Sequence, residues 1–229
     1  MKLASLFSGG KDSTFAIHLA QKQGHKISCL LSIFTKSDES HLLHHPTLQW
    51  TKLQSETMKI PQLTMASDSD DTDNELILLE KLLQKAIEKY KIEGLVHGGI
   101  KSNFQKKKFE TLCTKLNLIS FTPLWDMEPE NYMNDLVDSN FEFIITSVSS
   151  GGLDDTWLGK SISKSDVDTL RNLSEKFGFN LNFEGGEAET FVVNCPLFSN
   201  PIIIYESKKE WDGYRGRFEI VAAGLNYNA

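Results

Sequence analysis

Short apolar runs alternate with segments of helical periodicity along much of the chain. Apolar runs bounded by turn residues predict buried strands, and apolar positions spaced by three and four predict amphipathic helices. The predicted strands cover residues 2–7, 27–34, 62–65, 94–97 and 141–147. The predicted helices cover residues 13–23, 47–58, 74–90, 103–116 and 166–177. Because helices separate apolar strands, we predict an α/β fold with a mainly parallel, Rossmann-like sheet, right-handed crossovers and helices on both faces.

The pattern changes after Trp125. Pro129 predicts the start of a short helix, because proline suits the first turn of a helix. Short β-like runs follow at residues 190–194, 202–205 and 218–222. We therefore predict two domains, an amino-terminal one at residues 1–125 and a smaller, mixed α+β lobe at residues 126–229.

Composition and charge narrow the classes of partner. The 229 residues are 40% hydrophobic and 24% charged, with a formal net charge of −7, and the longest basic run is Lys106-Lys107-Lys108. This balance argues against broad contact with naked nucleic acid or an anionic membrane. No segment approaches the roughly 20 apolar residues that span a bilayer. The absence of a signal-peptide pattern and three scattered cysteines predict a cytoplasmic protein.

A glycine loop joins the first predicted strand to the first predicted helix. Its sequence is Ser8-Gly9-Gly10-Lys11-Asp12-Ser13. Adjacent glycines allow close approach of the backbone to a ligand, and a helix amino terminus and Lys11 attract anions. The loop therefore predicts polyphosphate binding. It differs from a Walker A loop, since Ser5 stands where that motif has its first glycine. A capped turn without ligand would explain the glycines but not the lysine.

A second glycine loop follows the strand predicted at residues 94–97. Its sequence is His97-Gly98-Gly99-Ile100-Lys101-Ser102-Asn103. Ligands of open α/β sheets bind at the carboxyl ends of the strands. We therefore expect Lys101, Ser102 and Gln105 near the first loop, where they would meet ribose, phosphate or substrate. A glycine turn with solvated lysines is the alternative.

The third polar cluster is acidic. Its sequence is Glu184-Gly185-Gly186-Glu187-Ala188-Glu189-Thr190, and apolar segments lie on both sides. Three carboxylates around paired glycines can bind a cationic group, coordinate magnesium or transfer protons. A solvated acidic hairpin is the alternative.

Other polar clusters indicate no site. The acidic stretch at residues 68–73 lacks calcium-loop spacing and precedes an amphipathic helix, which favours a solvated loop and helix cap. Asp38, Glu39, His41, His44 and His45 lack the spacing typical of metal ligands.

Cys195 lies in an apolar run without an evident histidine partner, so we predict a buried structural thiol rather than a nucleophile.

With these three clusters in chain order, the sequence resembles the diphthine–ammonia ligase family, within the superfamily of ATP pyrophosphatases with a PP-loop. The resemblance covers nearly the whole chain, and residues 185–190 with Pro196-Leu197-Phe198 are its most discriminating part. The segments Pro123-Leu124-Trp125 and Trp157-Leu158-Gly159 also resemble the family. The resemblance implies an adenine nucleotide alpha hydrolase-like fold, with ATP bound by the amino-terminal domain and substrate by the carboxyl-terminal lobe.

The resemblance also implies a reaction. ATP, Mg²⁺ and ammonium would convert the diphthine of translation elongation factor 2 to diphthamide through an acyl-adenylate, releasing AMP and pyrophosphate. The trimethylammonium group of diphthine suggests Glu187 and Glu189 as its partners, with the aromatic faces of Phe183 or Trp157 assisting. We expect no contact with a membrane or directly with nucleic acid, and a homodimer stays open.

The predicted site residues follow from the motifs and the resemblance together. The predicted catalytic residues are Lys11, Asp12 and Ser13. The predicted residues for ATP are Phe7, Ser8, Gly9, Gly10, Lys11, Asp12, Ser13, Gly98, Gly99, Ser102 and Gln105. The predicted substrate-binding residues are Glu184, Gly185, Gly186, Glu187, Glu189 and Thr190. The sequence assigns no residue as a metal ligand.

Some positions depart from the family pattern, and two alternative functions stay open. Gly99 and Asn194 stand where an aspartate is usual, and Lys107 or Lys108 where an arginine is usual. Loss of an acidic group beside the nucleotide favours a non-catalytic ATP-binding sensor. The other alternative is a PP-loop enzyme that adenylates tRNA, against which the acidic balance and the lack of an RNA-binding appendage argue.

Overall fold

The structure is a computed structural model that describes residues 1–35, 48–67 and 71–227. The chain forms two compact units. The first contains residues 1–8 and 12–125, and the second contains residues 9–11 and 126–229. Residues 9–11 of the first glycine loop therefore group with the second unit, although the strand before them and most of the helix after them belong to the first.

The first unit is built on a parallel sheet of five strands. The strands are β1 (Lys2–Leu6), β2 (Lys26–Thr35), β3 (Gln62–Ser67), β4 (Gly94–Val96) and β5 (Ile119–Phe121), in the order β3-β2-β1-β4-β5. The helices are α1 (Lys11–Lys22), α2 (Thr51–Met58), α3 (Thr72–Tyr90) and α4 (Asn103–Lys115). The order reverses beside β1, as in doubly wound folds that bind ligands at the carboxyl ends of their strands.

Apolar periodicity explains how these elements pack. In α3, Leu79, Leu82, Leu83 and Ala86 recur on one face and are buried against the sheet. The central strand β1 contributes Ala4 to the same core, together with residues of β2 and β4. The predicted Rossmann-like α/β architecture is confirmed.

The sequence prediction missed β5. This strand has only three residues and pairs in parallel with β4 through Gly94 and Ile119, Leu95 and Ser120, and Val96 and Phe121. Its residues are exposed or half-buried, so no apolar run marks it. Its partner and its place at the edge of the sheet come from tertiary contacts.

The second unit contains an antiparallel sheet of four strands. The strands are β6 (Glu142–Val148), β7 (Ala188–Asn194), β8 (Ile202–Trp211) and β9 (Gly216–Leu225), in the order β7-β6-β9-β8. Its helices are α5 (Pro129–Asp138) and α6 (Lys164–Phe177). The strand predicted at residues 141–147 is thus part of this sheet. The mixed α+β lobe is confirmed.

Strands β8 and β9 are longer than predicted. Beyond Tyr205, where the predicted run ends, β8 continues through exposed, mainly charged residues that an apolar pattern does not reveal. Its connection to β9 is a tight turn in which the Asp212 carboxylate accepts hydrogen bonds from the backbone N–H groups of Tyr214 and Arg215, at 2.8 and 2.7 Å. Gly213 in that turn has a φ of 102°.

Within the three described ranges, none of the helices combines the length and the apolar character needed to cross a lipid bilayer.

Candidate functional site

The first glycine loop leads from the end of β1 to the start of α1. Gly9 has a φ of 81°, a backbone conformation that glycine adopts without steric cost. The Ser8 backbone N–H donates to Ser13 Oγ over 3.3 Å, and the two hydroxyl oxygens lie 3.0 Å apart. The serine hydroxyls are thereby gathered at the positive end of α1, where an anion is electrostatically favoured. Phe7, the predicted residue just before the loop, is buried in the core.

Lys11 is a buried cation at this position. Its side chain is only 2% exposed, and Nζ donates to the backbone oxygen of Asn182 over 2.7 Å. Nζ also lies 5.5 Å from the ring centroids of Tyr132 and Phe183, within the range of a cation–π interaction. Burying an ammonium group costs free energy, and these partners offset part of that cost.

The backbone of the loop is tied to β7. The Lys11 N–H donates to Thr190 Oγ1 over 3.1 Å, and the Val192 N–H donates to the Gly9 carbonyl oxygen over 3.0 Å. These bonds explain why residues 9–11 group with the second unit. Thr190, which we predicted as a substrate-binding residue, therefore bonds to the first glycine loop.

The second glycine loop contacts the start of α1 through Gly98. A Cβ atom on Gly98 would lie 2.6 Å from the Asp12 carbonyl carbon and 2.8 Å from the Ser13 nitrogen. Only glycine fits such an approach of two backbones. The structure therefore brings Gly98 next to Asp12 and Ser13. This contact agrees with the expectation that the two loops lie at the same edge of the sheet.

Ser102 and Gln105 have a structural interaction in this loop. Ser102 is the N-cap of α4, and its side-chain oxygen accepts a hydrogen bond from the Gln105 backbone N–H over 3.4 Å. Helix capping by serine is common and stabilising. This contact fixes where α4 begins after the glycines.

His97 supports the same loop, and our sequence analysis did not select it. Its ring is 2% exposed, Nδ1 accepts the Gly99 N–H over 3.3 Å, and Nε2 lies 3.5 Å from Ser120 Oγ. Burial, and to a smaller extent the nearby charge of Lys106, lower the pKa of His97 to about 4. The imidazole is therefore neutral near pH 7, with its proton assigned to Nε2 because Nδ1 accepts. In the sequence, only its place between an apolar strand and two glycines could have indicated a role for His97.

The acidic loop is organised by Glu187. Its Oε1 accepts the Asn180 backbone N–H over 2.8 Å and the Asn180 side-chain amide over 2.7 Å. Its Oε2 accepts the Gly185 N–H over 2.8 Å. The carboxylate thus joins the two ends of the segment 180–185.

Ser149 holds the acidic loop from the end of β6. Its N–H donates to the Glu187 carbonyl oxygen over 2.9 Å, and its hydroxyl donates to the Gly186 carbonyl oxygen over 2.6 Å. Gly186 has a φ of 78°. These bonds give the loop a defined course into β7.

Glu184 and Glu189, the other two acidic residues of the motif, are half-buried. The Glu184 N–H donates to Asn182 Oδ1 over 3.3 Å. Glu189 lies in β7 opposite Ser147 of β6. The three carboxylates are therefore distributed along a loop and a strand, and the described residues contain no group of three side chains able to ligate a metal.

The three cysteines are free and buried. Burial raises the pKa of Cys195 to about 12, although the Leu197 and Phe198 N–H groups partly oppose this effect. The thiol is thus protonated at neutral pH and poorly suited to act as a nucleophile. The predicted burial of Cys195 is confirmed.

Of the polar segments in which we predicted no site, the structure describes only part. The candidates Asp38, Glu39, His41, His44 and His45 lie outside the described residues, as do residues 68–70 of the acidic stretch. Asp71 occupies the N-cap position of α3, where an acidic loop and cap were predicted.

Asn194 lies at the end of β7, where its amide donates to Glu142 over 2.9 Å.

A groove of about 570 Å³ lies in the first unit, between α3 and α4, with an apolar lining that includes Leu76, Ile77 and Phe104.

Two family models match the chain. The diphthamide synthase N-terminal domain matches residues 1–120, and the diphthamide synthase C-terminal domain matches residues 128–225. Together they span both glycine loops and the acidic loop.

Relatives with the name diphthine–ammonia ligase match along most of the chain. The Bos taurus protein is 34% identical over 226 residues, which cover 91% of this chain and 84% of the bovine protein. The Homo sapiens protein is 33% identical over the same shares. The Saccharomyces cerevisiae protein is 26% identical, and the match covers 87% of this chain but 34% of the yeast protein.

Solved structures are similar at a lower level. A predicted subunit of tRNA methyltransferase from Methanocaldococcus jannaschii has a TM-score of 0.41 and 16% identity, covering 86% of this chain and 98% of that one. The U34-tRNA thiolase NcsA from Methanococcus maripaludis has a TM-score of 0.38 and 13% identity, covering 82% of this chain and 70% of that one. Similarity at this level carries no inference about function. The family models and the relatives above 30% identity do: the chain belongs to the diphthine–ammonia ligase family of ATP-dependent ligases.

Proposed function

We propose that this protein amidates the diphthine residue of translation elongation factor 2 with ammonium, at the expense of ATP. Membership of the family supports a role in diphthamide biosynthesis. The observation that carries the proposal is Lys11, a buried ammonium at the start of α1, with Asn182 and two aromatic rings around it. A cation held in this way beside a glycine loop suits the binding of pyrophosphate.

The proposed chemistry has two steps. An oxygen of the substrate carboxylate attacks the α-phosphorus of ATP, the bond to the β-phosphate oxygen breaks, and pyrophosphate leaves. Ammonia then attacks the carbonyl carbon of the acyl-adenylate, loses a proton to solvent and displaces AMP. Lys11 and the glycine loop would stabilise the negative charge that accumulates on the leaving pyrophosphate, chiefly by electrostatics and positioning.

The nucleotide would be bound by the residues of both glycine loops. Ser8, Gly9, Gly10, Lys11, Asp12 and Ser13 would surround the phosphates, and Gly98, Gly99, Ser102 and Gln105 would line the remaining nucleotide. Within the first unit, the close approach of Gly98 to the Asp12–Ser13 backbone supports a joint role of the second loop and the start of α1. Phe7 would contribute through its backbone, because its side chain is in the core.

Mg²⁺ fits as an ion that arrives with ATP. Magnesium in such sites is held by one or two carboxylates together with substrate phosphates rather than by a cage of protein ligands. Asp12, in the first turn of α1, is the carboxylate of the first loop. When bound, the ion would neutralise phosphate charge, and Asp12 would orient it.

The substrate would be bound by the acidic loop, through Glu184, Gly185, Gly186, Glu187, Glu189 and Thr190. Glu189, a half-buried carboxylate of β7, is the proposed partner for the trimethylammonium group. Glu187 accepts three hydrogen bonds within its own loop. Ammonium from solution is the proposed nitrogen source because the Cys195 thiol is buried and protonated. A cytoplasmic location agrees with three free cysteines.

The test measures AMP and pyrophosphate release from ATP, Mg²⁺ and ammonium, with and without diphthine-bearing elongation factor 2. We expect AMP and pyrophosphate release that depends on the factor and on Lys11. The mass of the factor should change by the difference between a hydroxyl and an amine. The Lys11→Ala variant should lose at least about a hundredfold in kcat, as when one oxyanion-stabilising donor is removed.

Two other results would contradict the proposal. ATP binding without turnover would indicate a sensor, which the glycine at position 99 favours. Adenylation that proceeds without the factor and requires tRNA would indicate a tRNA-modifying enzyme.

A further inference from the structure

We infer that Glu187 is a positioning residue for Lys11: its carboxylate holds the loop that places the lysine ammonium, and so acts on ATP rather than on the substrate cation. This inference rests on the proposed function and deepens it, because it assigns part of the acidic motif to the nucleotide side of the reaction. All the contacts involved lie within the second unit, to which residues 9–11 belong.

The first step is the closure of segment 180–185. Glu187 bonds to Asn180 through two donors at one end and to Gly185 through one donor at the other. A Cβ on Gly185 would lie 2.7 Å from Glu187 Oε1, so a side chain at residue 185 would displace the carboxylate from this position. One carboxylate therefore fixes the separation of the two ends.

The second step is the conformation inside the segment. Phe183 has a φ of 62°, which is unfavourable for a bulky side chain and persists only when surrounding contacts enforce it. The enforcing contacts are the Phe183 N–H bond to the Asn180 carbonyl oxygen at 2.8 Å and the Gly186 N–H bond to the Phe183 carbonyl oxygen at 3.2 Å. The first contact involves Asn180, one of the ends that Glu187 joins, and the second is made by Gly186, next to the other end.

The third step links the segment to the lysine. Asn182 and Phe183 lie between the two ends, and they supply the carbonyl oxygen at 2.7 Å and one aromatic face at 5.5 Å from Lys11 Nζ. If the segment relaxed, these two of the partners of the ammonium would move together. A lysine that must meet phosphate oxygens needs its position held closely, since misplacement weakens charge-assisted bonds steeply.

The exposure of the residues that bond to Glu187 distinguishes the positioning role from a general effect on folding. Asn180 and Gly185 are exposed, so their N–H groups would bond to water if the carboxylate were removed. Removal of the Glu187 side chain should therefore loosen the loop without leaving buried donors unsatisfied. Global stability should stay close to wild type while the position of Lys11 changes.

The experiment is a double-mutant cycle on equilibrium ATP binding in the presence of Mg²⁺, using wild type, Glu187→Ala, Lys11→Ala and the double variant. We expect Glu187→Ala to weaken ATP binding about tenfold in the wild-type background, the size of one lost charge-assisted bond. In the Lys11→Ala background it should have no further effect. Glu187→Gln should recover part of the affinity, because its amide oxygen can still accept from Asn180.

A matched control variant isolates the role. Glu206→Gln, a change at an exposed glutamate of β8, should leave ATP binding unchanged. Additive effects of Glu187→Ala and Lys11→Ala, or loss of factor binding with ATP affinity retained, would overturn the inference alone. A wild-type protein that binds no ATP would overturn the proposed function as well.

Discussion

At the scale of single residues, burial decides what Lys11 and His97 can do. Lys11 is kept out of water and bonds to a backbone carbonyl, and this burial supports the role that we propose for it with phosphate. His97 is held neutral and accepts a hydrogen bond from the Gly99 N–H, so it shapes a loop instead of transferring protons at neutral pH. Neither role could be inferred from residue type alone.

The depressed pKa of His97 makes stability depend on pH. In the unfolded chain the imidazole binds a proton below its ordinary pKa of about 6.5, whereas the folded protein does so only below about 4. Between these values the unfolded state binds more protons, so the free energy of unfolding falls as pH falls. The contribution present above pH 6.5 is about 3 kcal/mol, and it is lost progressively towards pH 4.

Urea unfolding at several pH values between 4 and 7 tests this expectation. The wild-type free energy of unfolding should fall more steeply with decreasing pH than that of His97→Asn, which lacks the titrating ring. Comparing the two proteins removes the contribution of His18, whose pKa is also lowered by burial. Equal slopes would show that His97 is not the buried, neutral group described above.

At the scale of elements, backbone contact between the two glycine loops requires the absence of a side chain at residue 98. Gly98→Ala would place Cβ within 2.8 Å of three backbone atoms of Asp12 and Ser13, which cannot yield as a flexible side chain can. We expect a loss of about 1–3 kcal/mol in stability and weaker ATP binding.

Gly151→Ala is the control, because its Cβ would meet only Tyr214, at 3.9 Å. Unfolding and ATP titration should leave this variant close to wild type. Normal ATP affinity in Gly98→Ala would contradict the grouping of the two loops.

The capping box of α6 offers a second prediction at this scale. Ser163 accepts from the Asp166 N–H, and the Asp166 carboxylate accepts from the Ser163 N–H. Ser163→Ala should lower the free energy of unfolding by about 1 kcal/mol through loss of the cap. Thr169→Ala, at an exposed position inside the same helix, should have little effect. Equal losses in the two variants would argue against capping as the cause.

At the scale of the whole molecule, the three thiols report on folding. Burial raises the pKa of Cys29 to about 12, of Cys113 to about 11 and of Cys195 to about 12. At pH 8 a thiol reagent should react slowly with the folded protein and rapidly with all three cysteines in denaturant. Rapid reaction of Cys195 in the folded protein would reopen the question of a nucleophilic thiol.

Much of the architecture was predictable because it depends on local patterns. Periodicity and turn residues marked α3, α4 and the strands that carry buried apolar runs, and the glycine motifs marked both loops. The edge strand β5 and the polar half of β8 escaped prediction because their residues are exposed and their pairing depends on distant partners. The motif residues were selected from sequence, but the contacts of Glu187 and His97 were not.

The sequence by itself determined the order of strand, glycine loop and helix, and the motifs by which the family is recognised, because those are properties of neighbouring residues. Only the tertiary structure decided that Lys11 Nζ bonds to residue 182, that Thr190 bonds to the Lys11 backbone, and that Glu187 closes the segment between them. The first two contacts join residues 171 and 179 positions apart. Such contacts arise from the packing of distant segments, which no local pattern encodes.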